Sequence, residues 1–149
     1  MSDSKTALPN ARAIDTSATS AGQPSEAQLQ AASDNGVRTV VNLRPAGEFK
    51  DYDEAALAAD LGLRYVHIPV AGPEDLTTEN AEHLHRALAR EDDRPVIVHC
   101  GSGNRVGALV AYRERHILGR DKETAVQKGL DAGLNPDSPL YEATRKALD

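Results

Sequence analysis

The sequence predicts an α/β fold in which helices flank a mainly parallel central sheet. Two observations favour this class: short β-branched segments alternate with longer helical ones, and turn or capping residues separate them. The clearest strands are predicted at 37–43, 64–70 and 95–99. A length of 149 residues suits one domain, which we place at 11–149 behind a disordered tail at 1–10.

Helices are predicted where capping residues and glycines bracket the segments between strands. Ser25 and Gln28 have the spacing of a capping box, and Gly36 ends the helix that they begin. Segment 11–21, which is rich in Ser, Thr and Ala, is predicted to form a weak edge strand. The remaining helices are predicted at 54–61, 77–90, 104–118, 121–132 and 139–148.

Composition excludes several classes of function. Seventeen Lys and Arg against 23 Asp and Glu give a net charge of −6, and only 3% of residues are aromatic, so a nucleic-acid partner is not expected. No apolar run approaches the roughly 18 residues of a membrane span, and the first residues do not resemble a signal peptide. We therefore expect a cytoplasmic protein without a membrane partner. The single cysteine excludes an internal disulfide and a zinc site built from several cysteines.

Three chemistry-bearing segments follow the predicted strands. They are Arg44, the loop 71–76 and the loop 100–105. Because ligands of open α/β sheets bind beyond the carboxyl ends of the strands, we expect these segments to converge. Arg44 then either faces the mouth of a pocket or pairs with a surface carboxylate.

The loop after the third clear strand carries the strongest chemical signal. Gly101 and Gly103 let the backbone turn so that successive amides point inward, in front of a predicted helix N-terminus. The same positive field favours the thiolate of Cys100. Arg105 adds a planar guanidinium that can bind two oxygens of a phosphate or sulfate. Together these groups suit covalent catalysis on a tetrahedral oxyanion.

A lone cysteine also has a structural interpretation. Cys100 would then be a small buried apolar residue, and the two glycines would only turn the chain. The order of strand, Cys-Gly-x-Gly-x-Arg and helix favours the anion site instead.

The sequence His-Cys-Gly-Ser-Gly-Asn-Arg at 99–105 resembles the active-site loop of cysteine-dependent phosphatases of the tyrosine and dual-specificity superfamily. Three further segments, Ala-Gly-Gln-Pro-Ser (21–25), Val-Val-Asn-Leu-Arg-Pro (40–45) and Tyr-Val-His-Ile-Pro-Val (65–70), occur in the same order as in a bacterial branch. That branch is associated with beta-lactamase-hydrolase-like proteins and with fusions to NAD-kinase-like domains. The resemblance covers about residues 10–135 and implies a phosphatase fold of the dual-specificity type.

The resemblance implies a role for each matching residue. Cys100 would be the nucleophile that becomes a phosphocysteine, and His99 would help to keep its thiolate. Asp75 is our first choice for the acid that protonates the leaving group, and Glu74 is the second. The phosphoryl oxygens would be bound by Arg105 and the loop residues Gly101, Ser102, Gly103 and Asn104, with Arg44 at the mouth.

Two departures from the superfamily pattern leave the activity open. Only four residues separate Cys100 from Arg105 where five are usual, and Val106 stands where a serine or threonine usually helps the thiolate to leave. Both features predict slow turnover or a different substrate. The four-residue spacing also resembles the rhodanese sulfurtransferase loop, in which Cys100 would carry a persulfide. A third hypothesis is a phosphate-binding module without catalysis.

The expected substrate is a phosphorylated protein or a small phosphate ester. No metal or organic cofactor is expected, because the thiolate and the guanidinium supply the needed charge. The sequence specifies neither the particular substrate nor the oligomeric state.

Overall fold

The structure, a computed structural model, describes residues 7–149. Its centre is a five-stranded sheet in the order β1-β2-β5-β3-β4, with only β1 antiparallel to its neighbour. The predicted α/β class with a mainly parallel sheet is therefore confirmed. The strands are β1 (Arg12–Asp15), β2 (Ala18–Ala21), β3 (Thr39–Asn42), β4 (Arg64–His67) and β5 (Val96–His99).

The helices begin and end close to the predicted positions. The capping box is present: the Ser25 side chain accepts from the Gln28 amide, and the Gln28 side chain accepts from the Ser25 amide. Gly62 ends the second helix in the left-handed region at φ 74°. The helices are α1 (Glu26–Asp34), α2 (Glu54–Leu61), α3 (Thr78–Ala89), α4 (Asn104–His116), α5 (Lys122–Asp131) and α6 (Pro139–Ala147).

The single edge strand predicted at 11–21 is wrong. This segment forms a hairpin, in which β1 is the edge and β2 lies inside the sheet against β5. The pattern is hard to recognise because β1 is largely exposed and each strand has only four residues.

The tail predicted at 1–10 lies mostly outside the described residues. Within 7–10, the carbonyl of Pro9 accepts from the Gly22 amide at 2.8 Å, and Leu8 packs against the apolar cluster around Leu29.

Alternating strand residues separate the core into two layers. Val41 and Val98 face the helices α3 and α4, where they pack with Leu84, Leu109 and neighbouring apolar residues. Val40 and Ile97 face the other side and pack with residues of α1 and α2. The sheet is thus covered by helices on both faces, which leaves the edge at the carboxyl ends of its parallel strands for a site.

Close backbone packing fixes α4 against the segment that follows it. A Cβ on Gly107 would lie 2.2 Å from the backbone nitrogen of Leu134, and one on Gly133 would lie 2.8 Å from the carbonyl oxygen of Gly103. Because neither position has room for a side chain, α5 and the turn after it support the N-terminus of α4 directly. Among residues 7–149, no helix combines the length and the apolarity needed to cross a membrane.

Candidate active site

The predicted convergence at one edge of the sheet is present. Asn42 of β3 pairs in register with His99 of β5 and with His67 of β4, so the segments after these strands leave the sheet side by side. Arg44 and Arg105 then bind the same carboxylate, that of Glu48: Arg44 Nε lies 3.0 Å and Arg105 Nη2 lies 2.6 Å from its Oε1. Two guanidinium groups therefore meet at this edge.

The loop after β5 holds the sulfur at the start of α4. Gly103 occupies the N-cap position of α4 with φ 98°, a left-handed conformation that glycine adopts without strain. This turn directs the Gly103 amide to Cys100 Sγ, with a nitrogen–sulfur distance of 3.1 Å. The donated N–H and the N-terminus of α4 therefore both place partial positive charge at the sulfur.

The loop carbonyls are held away from the sulfur. A carbonyl and the next amide in the chain share one plane and point in opposite directions, so the amides of Ser102, Gly103 and Asn104 turn toward the inside of the loop. Each of the three carbonyls accepts a hydrogen bond from outside this turn. Gly101 O accepts from the Gln23 amide at 3.2 Å, Ser102 O from Asn10 Nδ2 at 3.1 Å, and Gly103 O from the Gly107 amide at 3.0 Å.

Cys100 is fully buried, with no accessible surface, and it adjoins the apolar cluster of the α3–α4 face. The sulfur is nevertheless not enclosed by aliphatic groups alone, because the Gly103 amide donates to it and the Arg105 guanidinium lies nearby. This surrounding is polar and positive. It suits a nucleophile better than a core residue.

Three of the five N–H groups of Arg105 have protein acceptors. Nη1 donates to Glu48 Oε2 at 2.9 Å and to Val70 O at 3.0 Å, and Nη2 donates to Glu48 Oε1 at 2.6 Å. Within residues 7–149, no hydrogen bond uses Nε, so the edge formed by Nε and Nη2 keeps two donors for an oxyanion. Nη2 lies 3.4 Å from where a Cβ on Gly101 would be, which places the guanidinium against the loop.

Glu48 is a site residue that sequence reasoning missed. It lies in the polar loop between β3 and α2, and nothing in its spacing marks it. The hydrogen bonds from Arg105 lower the pKa of Glu48, and those same bonds raise the pKa of Arg105. The carboxylate therefore stays ionised and orients both guanidinium groups. Arg44 also lies over the ring of Phe49, at 5.1 Å from its centroid.

His99 contacts the peptide of Cys100 rather than its sulfur. The ring is fully buried, with Nδ1 3.4 Å from Cys100 O and Nε2 2.6 Å from Glu54 Oε2. Glu54 was interpreted from the sequence only as the start of a helix. The partly buried side chains of Gln23 and Tyr52 extend this hydrogen-bonded group: Gln23 Nε2 lies 2.8 Å from Glu54 Oε1 and 3.2 Å from Tyr52 Oη.

The two candidate acids lie in a short 3₁₀ turn, Pro73–Asp75, after β4. The Asp75 carboxylate accepts from the Ala71 amide at 2.8 Å, while the Glu74 carboxylate folds back toward Gly72. This turn and the cysteine loop share a cavity of about 320 Å³. Neither carboxylate lines the cavity, whose walls are Ala71, Gly72, Pro73, Ser102, Asn104, Arg105, Pro139 and Leu140.

Two further loop positions have structural contacts. The Asn104 side chain binds the turn before α6, through the Asn135 amide at 2.7 Å and Ser138 Oγ at 3.2 Å. Only the backbone amide of Asn104 therefore faces the loop. Val106 is fully buried in the apolar core, so the position that lacks a hydroxyl serves packing.

The arrangement can bind an oxyanion and attack it. It provides a sulfur nucleophile, inward amides and a guanidinium with two donors, which together suit a tetrahedral group that carries negative charge. In the described part of the chain, no group of three or more His, Cys, Asp or Glu residues is placed to hold a metal ion.

Solved structures with this fold include proteins described as phosphatases. Tk-PTP in its active form superposes with a TM-score of 0.72 at 19% identity, covering 94% of this chain and 96% of that one. A structure from Shewanella putrefaciens, described as a putative phosphatase (DUF442), gives a TM-score of 0.68 at 24% identity, with 95% and 90% of the two chains covered. These likenesses establish the fold.

Sequence comparison identifies relatives of this chain and the family to which it belongs. A beta-lactamase hydrolase-like protein of Agrobacterium fabrum is 32% identical over 133 residues, which are 85% of this chain and 29% of that protein. A protein of the same description from Xylella fastidiosa is 34% identical over 111 residues, or 71% of this chain and 25% of its own length. The chain thus spans less than a third of these relatives. The family "DSP-PTPase phosphatase fused to NAD+ Kinase" matches residues 6–141, and the chain belongs to this family.

Proposed function

We propose that the chain is a cysteine-dependent phosphomonoester hydrolase of the tyrosine or dual-specificity type. The observation that carries the proposal is the Gly103 amide, 3.1 Å from Cys100 Sγ at the start of α4. A loop that directs a backbone amide to the sulfur at a helix N-terminus can also bind phosphoryl oxygens. Membership of a phosphatase family favours this chemistry over sulfur transfer.

The proposed reaction has two steps. In the first, Cys100 sulfur forms a bond to phosphorus while the ester P–O bond breaks, and the departing oxygen takes a proton from Asp75 or, as second choice, Glu74. In the second, a water oxygen attacks phosphorus and gives its proton to the same carboxylate. The S–P bond then breaks, which releases inorganic phosphate and restores the thiolate. No cofactor takes part in either step.

Arg105 has the central electrostatic role in this proposal. Glu48 and Val70 O hold its guanidinium so that the Nε and Nη2 donors can bind two phosphoryl oxygens. Phosphoryl transfer depends mainly on positioning and charge stabilisation, which this arrangement supplies. We expect turnover to be slow, because Val106 has no hydroxyl to help the thiolate leave.

The proposed substrates are a phosphorylated protein or a small phosphate ester, and the proposed location is the cytoplasm. TpbA of P. aeruginosa, which has the same fold at 19% identity, has been solved in complex with pTyr. That complex describes TpbA, and it makes phosphotyrosine a reasonable first substrate to assay here.

The test is hydrolysis of para-nitrophenyl phosphate by the purified chain. We expect activity that vanadate and phosphate inhibit, and that Cys100→Ser and Arg105→Ala each abolish. Arg64→Ala is the matched control, since Arg64 begins β4 at the opposite end of the sheet. It should leave the activity unchanged.

Two outcomes would contradict the proposal. Transfer of sulfur from thiosulfate to cyanide, without phosphate-ester hydrolysis at any pH near neutrality, would identify a sulfurtransferase. Phosphate binding in a calorimeter without turnover of aryl phosphate or phosphotyrosine would identify a non-catalytic binding module.

A further inference from the structure

A buried carboxylate, that of Glu54, contacts His99, which in turn contacts the backbone of the proposed nucleophile Cys100. Glu54, the first residue of α2, is only 5% exposed. Burying a carboxylate is costly unless it is paired and hydrogen-bonded. Both of its oxygens have partners: Oε2 lies 2.6 Å from His99 Nε2, and Oε1 lies 2.8 Å from Gln23 Nε2. A group kept here against this cost calls for a specific role.

The contact with Glu54 fixes the orientation of the His99 ring. With Nε2 held by the carboxylate, Nδ1 lies 3.4 Å from Cys100 O, at the long end of the hydrogen-bond range. Since a carbonyl oxygen only accepts, Nδ1 is the donor in this contact, and the 2.6 Å contact at Nε2 uses a second proton, held by the ring or by the Glu54 carboxyl group. The ring has no surface accessible to bulk solvent.

The Cys100 carbonyl determines where the next amide points. This carbonyl and the Gly101 amide belong to one peptide plane and point in opposite directions. His99 Nδ1 contacts the carbonyl, so the Gly101 amide points away from the ring. Arg105 Nη2 lies against the same residue, 3.4 Å from where a Cβ on Gly101 would be. The ring thereby orients the first amide of the oxyanion loop.

The next peptide of the loop is tied to the same buried group. The backbone amide of Gln23 donates to Gly101 O at 3.2 Å, while its side chain donates to Glu54. Tyr52 lies beside them and donates to Pro24 O at 2.6 Å. Burial and the charge of Glu54 raise the pKa of Tyr52, so its hydroxyl keeps this proton.

We propose that Glu54 is a positioning residue that acts through His99 to orient the Gly101 amide toward a bound oxyanion. The identity of that oxyanion as a phosphoryl group rests on the proposed function. The role of Glu54 is one of hydrogen-bond geometry rather than of charge. An amide at position 54 can donate to His99 Nε2 and accept from Gln23, which leaves the Nδ1 proton for Cys100 O.

The experiment measures phosphate binding by calorimetry and the Gly101 amide resonance by NMR in the whole chain. Glu54→Ala should weaken phosphate binding about tenfold, equivalent to one lost hydrogen bond to an anion, and should shift the Gly101 resonance. Glu54→Gln should keep both near the wild type. Glu54→Met, which preserves the volume, replaces the alanine variant if that variant does not fold. Glu26→Ala is the control, because Glu26 is the exposed first residue of α1.

The outcomes separate this inference from the proposed function. A folded Glu54→Ala or Glu54→Met protein with wild-type phosphate affinity and an unmoved Gly101 resonance would overturn the inference. A Glu54→Gln protein that loses as much as Glu54→Ala would also overturn it, since charge would then be the requirement. If the wild type binds no phosphate, the proposed function fails, while the Gly101 resonance still decides the role of Glu54.

Discussion

Replacing Arg105 with lysine tests whether the guanidinium contributes bidentate hydrogen bonding or only a positive charge. The arginine uses Nη1 and one Nη2 donor for Glu48 and Val70 O, and keeps two donors on its Nε edge. Lysine retains the positive charge but has one nitrogen. It can bind Glu48 or the phosphoryl group with good geometry, but not both in this arrangement.

The size of the effect follows from the number of donors lost. Two charge-assisted hydrogen bonds to phosphate become one at most, and each is worth about 2 kcal/mol in a partly buried site. Phosphate affinity should therefore fall about thirtyfold. Stability should change by only about 1 kcal/mol, because the ion pair with Glu48 is partly exposed, at 18% for Arg105 and 32% for Glu48.

Calorimetric titration of phosphate into Arg105→Lys and the wild type checks this, with urea unfolding of both proteins to measure stability. Arg64→Lys is the control, because Arg64 also pairs with a carboxylate, that of Asp93 at 3.4 Å, but far from the loop. Affinity of Arg105→Lys within twofold of the wild type would refute the reasoning. The guanidinium would then contribute charge alone.

Three further results are expected. Asp75→Asn should lower kcat for an alkyl phosphate about a hundredfold and kcat for para-nitrophenyl phosphate far less, because nitrophenolate leaves without a proton. Equal losses for the two substrates would reject Asp75 as the acid, and so would the same pattern in Glu74→Gln instead of Asp75→Asn. Gly107→Ala should destabilise the fold by about 3 kcal/mol or more in urea unfolding, because its Cβ would lie 2.2 Å from Leu134 N. The control Gly119→Ala, at φ 73° with open space around it, should cost about 1 kcal/mol. Similar losses in the two variants would contradict the packing described. Because its pKa is lowered, Glu48 stabilises the folded state at pH values above its ordinary pKa of 4.5, and this contribution is lost as the pH falls through the lowered pKa. Glu48→Gln should therefore reduce the fall of the urea midpoint at acid pH. An unchanged fall would show that the pair of Glu48 and Arg105 adds nothing to stability.

Local signals predicted most of the elements correctly. The capping box at Ser25 and Gln28 and the left-handed Gly62 depend on residues a few positions apart, so the sequence displays them directly. The convergence of Arg44 with the cysteine loop was also predictable, because parallel strands bring their carboxyl ends to one edge. The β1–β2 hairpin was not, since its four-residue strands offer too short an alternation to recognise.

The missed site residues share a different cause. Glu48 binds Arg105 across 57 positions, and Glu54 binds His99 across 45 positions. Glu48 lies in a polar loop and Glu54 begins a helix, positions where a glutamate is common. The partner of each becomes apparent only when the chain is folded. The cysteine loop could therefore be singled out from spacing and glycine content, whereas the carboxylates that contact Arg105 and His99 required coordinates.

The contacts of the loop carbonyls and of Asn104 determine when the site can form during synthesis of the chain. Asn10 reaches Ser102 O across 92 positions, and the Asn135 amide reaches Asn104 across 31 positions in the other direction. Neither an amino-terminal nor a carboxyl-terminal half contains all of these contacts. On a ribosome, the proposed oxyanion site would be completed only after the turn before α6 has emerged. If the loop binds phosphate as proposed, truncated or nascent chains should lack this affinity even when the sheet has formed.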